Sequence, residues 1–233
     1  MPTLSRLNAI VDVEIAERAG WAPVDLAAAY LSGGARFLQI RAKSLSGAAF
    51  LDLSTRVSEI AHRAGALVIV NDRADIARLA GADGVHVGQD DLSPAAARAI
   101  VGAGAIVGVS THTTQQIEAA RAAPVTYIAV GPVFGTSTKE TGYAAVGLER
   151  VREAAEKVGL KPDATYDRLK PEPLYDPRPF GVVAIGGVTL ETALQVIRAG
   201  ATSVAVITDL LATGDPEARV AAYLARLGAI GNV

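Results

Sequence analysis

Alternating polar residues in one short segment have the chemistry of a phosphate site. Gln39, Arg41 and Lys43 are spaced two apart, so in an extended strand their side chains lie on the same side. Arg holds phosphate with a planar fork of N–H donors, and Lys binds it as a point charge. Either cation alone is typical of a solvated surface. Together they predict a phosphate or diphosphate site at the end of this strand.

Two carboxylates, Asp72 and Asp91, each follow an apolar run and are candidate metal ligands. Both also lie near predicted helix starts, where Asp serves as an N-cap, but Ser93 is better placed than Asp91 for that role. Carboxylate oxygens beside phosphate ligands form the hard oxygen site that Mg²⁺ prefers. We therefore predict Mg²⁺ as the cofactor. Asp90 is adjacent to Asp91, and the sequence leaves the choice between them open.

A hydroxyl-rich stretch and a glycine pair predict a second phosphate site. The stretch Thr136–Lys139 offers consecutive donors, although it lacks the order and spacing of a P-loop. The pair Gly186-Gly187 precedes a helix predicted to begin near Thr189. Main-chain amides at a helix N-terminus bind phosphate well. In α/β barrels the loops after strands seven and eight are the usual place for such a site.

These residues can act together only if strands bring them to one edge. Eight runs rich in β-branched residues are separated by helical patterns, which predicts βαβ units and a parallel sheet. A Gly-Ala pair typical of a helix end recurs before strands, at Gly34, Gly65, Gly81, Gly104 and Gly200. The predicted strands are Leu7–Val13, Phe37–Ile40, Leu67–Val70, Gly84–Val87, Ile106–Val109, Tyr127–Val130, Val182–Ile185 and Ser203–Ile207. Even spacing favours a closed (β/α)₈ TIM barrel of the α/β class over an open sheet.

The bulk composition fits one barrel domain over residues 1–233, with a proline-rich insertion at 159–180. The net charge of −2 and the absence of a basic stripe argue against nucleic acid as a partner. The chain has no cysteine, which excludes disulfides and thiolate chemistry. No apolar run approaches the length of a membrane span. We expect a cytoplasmic protein, and the sequence leaves homo-oligomerisation open.

Six motifs, in order along the chain, resemble thiamine-phosphate synthase. They are Gln39-Ile-Arg-Ala-Lys43, Asn71-Asp72, Gly88-Gln-Asp-Asp91, Val107-Gly-Val-Ser110, Gly131-Pro-Val-Phe-Gly-Thr-Ser-Thr-Lys139 and Ala184-Ile-Gly-Gly187. The resemblance covers nearly the whole chain apart from the insertion. It implies a transferase that joins hydroxymethylpyrimidine diphosphate to hydroxyethylthiazole phosphate and releases pyrophosphate.

The resemblance also assigns roles to residues. Asp72 and Asp91 would bind Mg²⁺, and the catalytic group would be Arg41, Lys43, Ser110 and Lys139. The substrate contacts implied are Gln39, Ile40, Arg41, Ala42, Lys43, Asn71, Ser110, Thr136, Ser137, Thr138, Lys139, Gly186, Gly187, Ile207 and Thr208. The residues up to Ser110, with Lys139, would hold the pyrimidine diphosphate. Thr136, Thr138, Gly187 and the end of strand eight would hold the thiazole phosphate.

The sequence departs from the family pattern at three places. Its last strand ends in Ile207-Thr208 where the family usually has a Val-Ser or Ile-Ser pair, and Thr keeps the hydroxyl. Its first strand, Leu7–Asp12, lacks the usual Tyr and Thr-Asp end. The insertion after Val158 is the third departure. We expect these changes to affect fine substrate contacts more than the reaction.

Three other functions fit part of the pattern. A thiazole tautomerase-like isomerase of the same barrel family needs only the thiazole-phosphate half, and a regulatory barrel that binds a phosphometabolite needs no Asp pair. A sugar-phosphate epimerase would use the Asp pair as acid and base, and the cations beside it would be surplus. We assign neither His86 nor His112 a role in the chemical step. With no defensible nucleophile, we predict a dissociative mechanism in which pyrophosphate leaves first.

Overall fold

The structure, a computed structural model, describes residues 4–135, 144–159 and 181–228. Eight parallel strands pair in chain order, and the last pairs with the first, which closes the barrel. The strands are β1 (Leu7–Asp12), β2 (Phe37–Arg41), β3 (Leu67–Asn71), β4 (Gly84–Val87), β5 (Ile106–Thr111), β6 (Tyr127–Val130), β7 (Gly181–Ile185) and β8 (Ser203–Val206). The predicted (β/α)₈ TIM barrel is confirmed.

Nine α-helices lie in the described ranges, and they cover the outside of the barrel. They are α1 (Val13–Arg18), α2 (Pro23–Ser32), α3 (Gly47–Arg63), α4 (Ala74–Leu79), α5 (Pro94–Val101), α6 (Thr114–Arg121), α7 (Gly147–Lys157), α8 (Leu190–Arg198) and α9 (Pro216–Gly228). A short 3₁₀ helix, Thr208–Leu211, follows β8. None of the described helices is long and apolar enough to cross a membrane. The insertion, from residue 160 onward, lies outside the described residues.

Serine residues cap the starts of two helices, and the predicted cap at Ser93 is confirmed. Ser46 Oγ accepts from Ala49 N at 3.3 Å, and Ser93 Oγ accepts from Ala96 N at 3.2 Å. These side-chain bonds satisfy amides that have no partner within the helix. One predicted helix end is wrong. The stop before β5 is Gly102, with a φ of 93°, and Gly104 is not in the left-handed conformation.

The barrel separates two apolar layers. Outward side chains of the strands pack against the helices, and inward side chains fill the barrel itself. Leu4, Phe37 and Ile106 close the interior at the beginnings of the strands. Buried polar side chains follow on the inner face of the strands, among them Gln39 and Asn71. Because polar groups concentrate at the strand ends, the chemistry is restricted to that end of the barrel.

One glycine makes room for a large side chain that later forms part of the site. Tyr127 is fully buried inside the barrel, and its ring meets Phe37 edge-on with centroids 6.3 Å apart. A Cβ placed on Gly108 of the neighbouring strand would lie 2.1 Å from Tyr127 Cζ. Because Gly108 has no side chain, it leaves the space that the ring of Tyr127 occupies.

Gly108→Ala is expected to lower the free energy of unfolding by about 1–3 kcal/mol, because overpacking a close-packed interior forces side chains to shift. Gly104→Ala is the matched control, since nothing lies within 4 Å of its added Cβ. The control is expected to change stability by no more than about 0.5 kcal/mol. Urea unfolding followed by circular dichroism measures both. Equal stability of the two variants would contradict this account of the barrel interior.

Candidate active site

A polar cavity of about 350 Å³ opens at the carboxyl ends of the strands. That volume lies in the usual range for small-molecule sites. Most of the predicted site residues that the structure describes line it. They are Gln39, Arg41, Lys43, Asn71, Asp72, Asp91, Ser110, Gly186, Gly187, Ile207 and Thr208. The predicted contacts Thr136, Ser137, Thr138 and Lys139 lie outside the described residues.

Two predicted contacts have their side chains elsewhere. Ile40 is fully buried in the layer between the barrel and the helices, and Ala42 packs against that same layer. Neither lines the cavity. The reason is the two-residue alternation of a strand, which sends Gln39 and Arg41 inward and the residues between them outward. The side chains of Ile40 and Ala42 therefore lie outside the cavity, and the assignment of these two residues as substrate contacts stays a prediction.

The two cations of β2 are each paired with a carboxylate from another strand end. Arg41 forms an ion pair with Asp12, whose side chain is 1% exposed. Lys43 forms an ion pair with Asp72. Side-chain exposure rises from the buried Gln39 through Arg41 at the end of β2 to the half-exposed Lys43 in the loop that follows. The segment therefore places a neutral amide deep in the cavity and positive charge towards its mouth.

Glu14, which the sequence analysis missed, holds the loop after β2. Its Oε1 accepts from Lys43 N, Ser44 N and Ser44 Oγ, each at 2.8 Å. Burial raises the pKa of Glu14, but these hydrogen bonds outweigh it and bring the pKa down to about 2. The carboxylate is thus charged at neutral pH and fixes the backbone that carries Lys43. Glu14 and Lys43 are 29 residues apart, so no local pattern indicates the contact.

The predicted metal ligands lie together. Asp72 adopts a φ of 66°, a left-handed conformation in which Asp and Asn are enriched, and its amide donates to His86 O at 2.7 Å. The N-cap of α4 is Arg73, so the capping alternative for Asp72 does not hold. Asp91 accepts from Gly88 N at 2.7 Å. Burial raises the pKa of Asp91, and a hydrogen bond with Asp72 raises it further.

This carboxylate pair fits a magnesium ion. The carboxyl groups of Asp72 and Asp91 lie close enough together for one cation to bind to both. In the part of the chain that the structure describes, no cluster of three or more His, Cys, Asp or Glu side chains forms a metal site. Mg²⁺ does not need one, because it is commonly bound by one or two carboxylates, with waters and substrate phosphates completing its octahedron.

A hydrogen-bonded chain runs from the barrel interior to the cavity. His86 Nδ1 lies 2.9 Å from the Tyr127 hydroxyl, and His86 Nε2 lies 2.9 Å from Ser110 Oγ. His86 is 7% exposed and Tyr127 is fully buried. His86 is therefore a hydrogen-bonded residue of the barrel interior. The sequence analysis did not predict the hydrogen bond between His86 and Ser110, which is one of the predicted substrate-binding residues.

The predicted glycine pair shapes the cavity wall at the carboxyl end of β7. Gly186 and Gly187 have φ values of 97° and 65°, which favour glycine. A Cβ on Gly187 would lie 2.5 Å from Gly135 O, so the chain after β6 approaches it closely. Phe134 N donates to Gly186 O at 2.9 Å. The pair thus anchors the entry to the hydroxyl-rich stretch, and α8 begins just beyond it at Leu190.

Comparison with known proteins identifies the chain. The family model described as thiamine monophosphate synthase matches residues 7–210. The chain belongs to the thiamine monophosphate synthase family. It is 43% identical over 210 residues to a thiamine-phosphate synthase from Arthrobacter sp. (strain FB24), which covers 88% of each chain. It is 40% identical over 223 residues to one from Koribacter versatilis (strain Ellin345), which covers 95% of each.

The fold of a solved structure agrees. A thiamine phosphate pyrophosphorylase from Pyrococcus furiosus superposes with a TM-score of 0.79 over 97% of this chain and 96% of that one, at 24% identity. At that identity the likeness shows the fold alone.

One amide side chain that lines the cavity is fully buried. Asn8 stands on β1, in the strand that departs from the family pattern, and it is fully buried. Neither amide atom of its side chain has a hydrogen-bond partner among the residues that the structure describes, although Asn8 lines the cavity. Buried amides are normally hydrogen-bonded. We expect Asn8 to find its partner in a ligand or water at the cavity floor.

Proposed function

We propose that the chain is a thiamine-phosphate synthase, a transferase that joins hydroxymethylpyrimidine diphosphate to hydroxyethylthiazole phosphate and releases pyrophosphate. The observation that carries the proposal is the order of side chains along β2, beside the carboxylate pair. Gln39 lies deep, Arg41 lies above it, and Lys43 stands at the mouth next to Asp72. This order suits a substrate with a neutral ring at one end and a diphosphate at the other.

The described residues orient that substrate with its ring inward. The amides of Asn8, Gln39 and Asn71 line the inner cavity, and each offers one donor group and one acceptor. An aminopyrimidine presents donors and acceptors along its edge, so amides can match it. Arg41 and Lys43 then face the diphosphate. On binding they exchange the carboxylates of Asp12 and Asp72 for phosphate oxygens, or share them.

Asp72 and Asp91 are proposed to hold Mg²⁺ beside this diphosphate. When bound, the ion would supply positive charge that neutralises the charge developing on the departing pyrophosphate. The proposal rests on the close approach of the two carboxyl groups and on the position of Lys43 beside them. Lys43 holds Asp72 by its ammonium group and so keeps that carboxylate turned into the cavity.

The thiazole phosphate is proposed to bind at the cavity wall that follows β7 and β8. Gly186 and Gly187 lie between the cavity and the N-terminus of α8, and Thr208 begins the 3₁₀ helix beside them. This position follows strands seven and eight, where α/β barrels commonly bind phosphate. The pyrimidine diphosphate would then lie beside the end of β2 and the thiazole phosphate beside the ends of β7 and β8. Their reacting ends would meet near the centre of the cavity.

One incubation tests the function. The purified protein is mixed with both precursors and Mg²⁺, and thiamine phosphate and pyrophosphate are measured. Formation of both in equal amounts is the expected result. A tautomerase-like isomerase would convert a thiazole phosphate without the pyrimidine, an epimerase would act on sugar phosphates alone, and a regulatory barrel would form neither product. Binding of either precursor without any product would overturn the proposal.

Glu14→Ala is expected to raise the KM for the pyrimidine diphosphate about tenfold. The variant frees the loop that carries Lys43, and hydrogen bonds to a partly exposed charge contribute about 1.5 kcal/mol, which corresponds to tenfold in affinity. Glu17→Ala is the matched control, because Glu17 is exposed on the same helix. Steady-state kinetics with each substrate varied in turn measure the effect. A KM that rises for the thiazole phosphate instead would place the loop's role elsewhere.

The remaining expectations stay predictions. They are a cytoplasmic location, the absence of nucleic-acid partners and any homo-oligomer. Small phosphorylated molecules are the partners that the family membership supports.

A further inference from the structure

The chain from Tyr127 through His86 to Ser110 has a defined direction. Tyr127 is fully buried, and its hydroxyl has one hydrogen-bond partner among the described residues, His86 Nδ1. Burial raises the pKa of Tyr127 well above its usual range, so the hydroxyl keeps its proton. That proton needs an acceptor. Leaving a buried donor unpaired costs about as much as losing a hydrogen bond.

The acceptor must be His86 Nδ1, and this fixes the tautomer. If Nδ1 accepts from the tyrosine, the ring proton of neutral His86 resides on Nε2. Nε2 then donates to Ser110 Oγ, which lies 2.9 Å away. The opposite direction would have Nδ1 donate to the tyrosine oxygen and would leave the tyrosine proton buried without an acceptor. The observed burial therefore favours one direction, from the interior outward.

We propose that Tyr127 and His86 are positioning residues that make Ser110 a hydrogen-bond donor towards the cavity. Because the serine oxygen accepts from His86, its own proton must turn to another acceptor. Ser110 lines the cavity, so that acceptor is an oxygen of the bound pyrimidine diphosphate. This assignment of the acceptor rests on the proposed function. The direction of the chain does not, since it follows from the free protein alone.

Nitrogen NMR tests the direction without any assay of activity. The chain has three histidines, so ¹⁵N-histidine labelling gives few ring signals, and a His86→Gln sample identifies those of His86. At about pH 8, where an ordinary histidine is neutral, His86 is expected to show a protonated Nε2 and an unprotonated Nδ1. In Tyr127→Phe this tautomer preference should weaken or reverse. A wild-type His86 protonated on Nδ1 would overturn the proposal.

Kinetics test the consequence for the reaction. Tyr127→Phe keeps the ring that fills the barrel and removes only the hydroxyl. We expect kcat for thiamine phosphate formation to fall about tenfold, with KM for both substrates nearly unchanged. Tyr30→Phe is the matched control, since Tyr30 is also fully buried and its hydroxyl has no partner among the described residues. This control is expected to retain wild-type kcat.

A double-mutant cycle separates positioning from simple loosening of the core. If Tyr127 acts through Ser110, then Tyr127→Phe in a Ser110→Ala background should lose little further activity. Fully additive losses, or a Tyr127→Phe variant with wild-type kcat, would overturn the proposal. If the wild-type protein forms no thiamine phosphate, the proposed function fails while the NMR result still decides the direction of the chain. The two failures are therefore distinguishable.

Discussion

Asp72→Asn is expected to lower turnover by about 100- to 1,000-fold and to raise the Mg²⁺ concentration needed for half-maximal rate. A metal ion contributes several kcal/mol of charge stabilisation to a departing phosphate, at about 1.4 kcal/mol for each tenfold. Asn is the right replacement because, like Asp, it tolerates the left-handed φ of 66° at this position. The backbone and the ion-pair partner's position are thus preserved while the negative charge is removed.

The neighbouring acid provides the control for this prediction. Asp90 is exposed and lines the same cavity, next to Asp91. Asp90→Asn is expected to keep wild-type Mg²⁺ dependence, whereas Asp91→Asn should resemble Asp72→Asn. Initial rates over a Mg²⁺ titration, together with Mn²⁺ binding followed by electron paramagnetic resonance, measure all three. Normal activity of Asp72→Asn at limiting Mg²⁺ would remove the carboxylate pair from the metal site.

Most of the barrel could be predicted because parallel strands covered on both faces are continuous apolar runs. Every predicted strand agrees with an observed strand to within two residues at each end. Several of the small errors fall at the carboxyl ends. Arg41 and Asn71 continue their strands beyond the apolar run, since main-chain pairing does not depend on side-chain polarity. Both of these additional strand residues, Arg41 and Asn71, line the cavity.

The candidate site was predictable only as far as its local order. The two-residue alternation of an extended chain identified Gln39, Arg41 and Lys43 as residues whose side chains face the cavity, and it places the side chains of Ile40 and Ala42 on the other face. The ion pairs between side chains of different strand ends could not be predicted from the sequence. The ion pair of Arg41 with Asp12 joins residues 29 apart. No spacing in one sequence shows which of several acids will meet a given cation.

Long-range packing hid the Tyr127–His86–Ser110 chain for the same reason. Tyr127 and His86 are 41 residues apart, and they meet only because Gly108 leaves space for the tyrosine ring. From the sequence, a tyrosine at the start of a strand is an ordinary core residue. Its hydroxyl acquires a role once the barrel places it beneath a histidine that reaches the cavity.

The arrangement of Ser110 also bears on how the substrate bond breaks. In a serine nucleophile, a histidine base is oriented by a carboxylate. Here both ring nitrogens of His86 are engaged, by Ser110 on one side and by the neutral Tyr127 on the other. Such a chain makes Ser110 a hydrogen-bond donor and does not activate it for attack. Catalysis must then rest on stabilising charge as it develops on the leaving pyrophosphate.

An electron-withdrawing substituent on the pyrimidine ring, small enough to fit the cavity, is therefore expected to slow the chemical step by orders of magnitude. If pyrophosphate leaves first, positive charge develops on the pyrimidine methylene group, and the substituent opposes that charge. The thiazole nitrogen needs no deprotonation, and holding it close makes its capture of the cation effectively intramolecular. Arg41 and Lys43 contact only the diphosphate in this account, so ground-state binding should change little.

Single-turnover rates and equilibrium binding of the substituted substrate measure the two effects separately. Rates that stay level or rise with the substituent would favour direct displacement by the thiazole nitrogen.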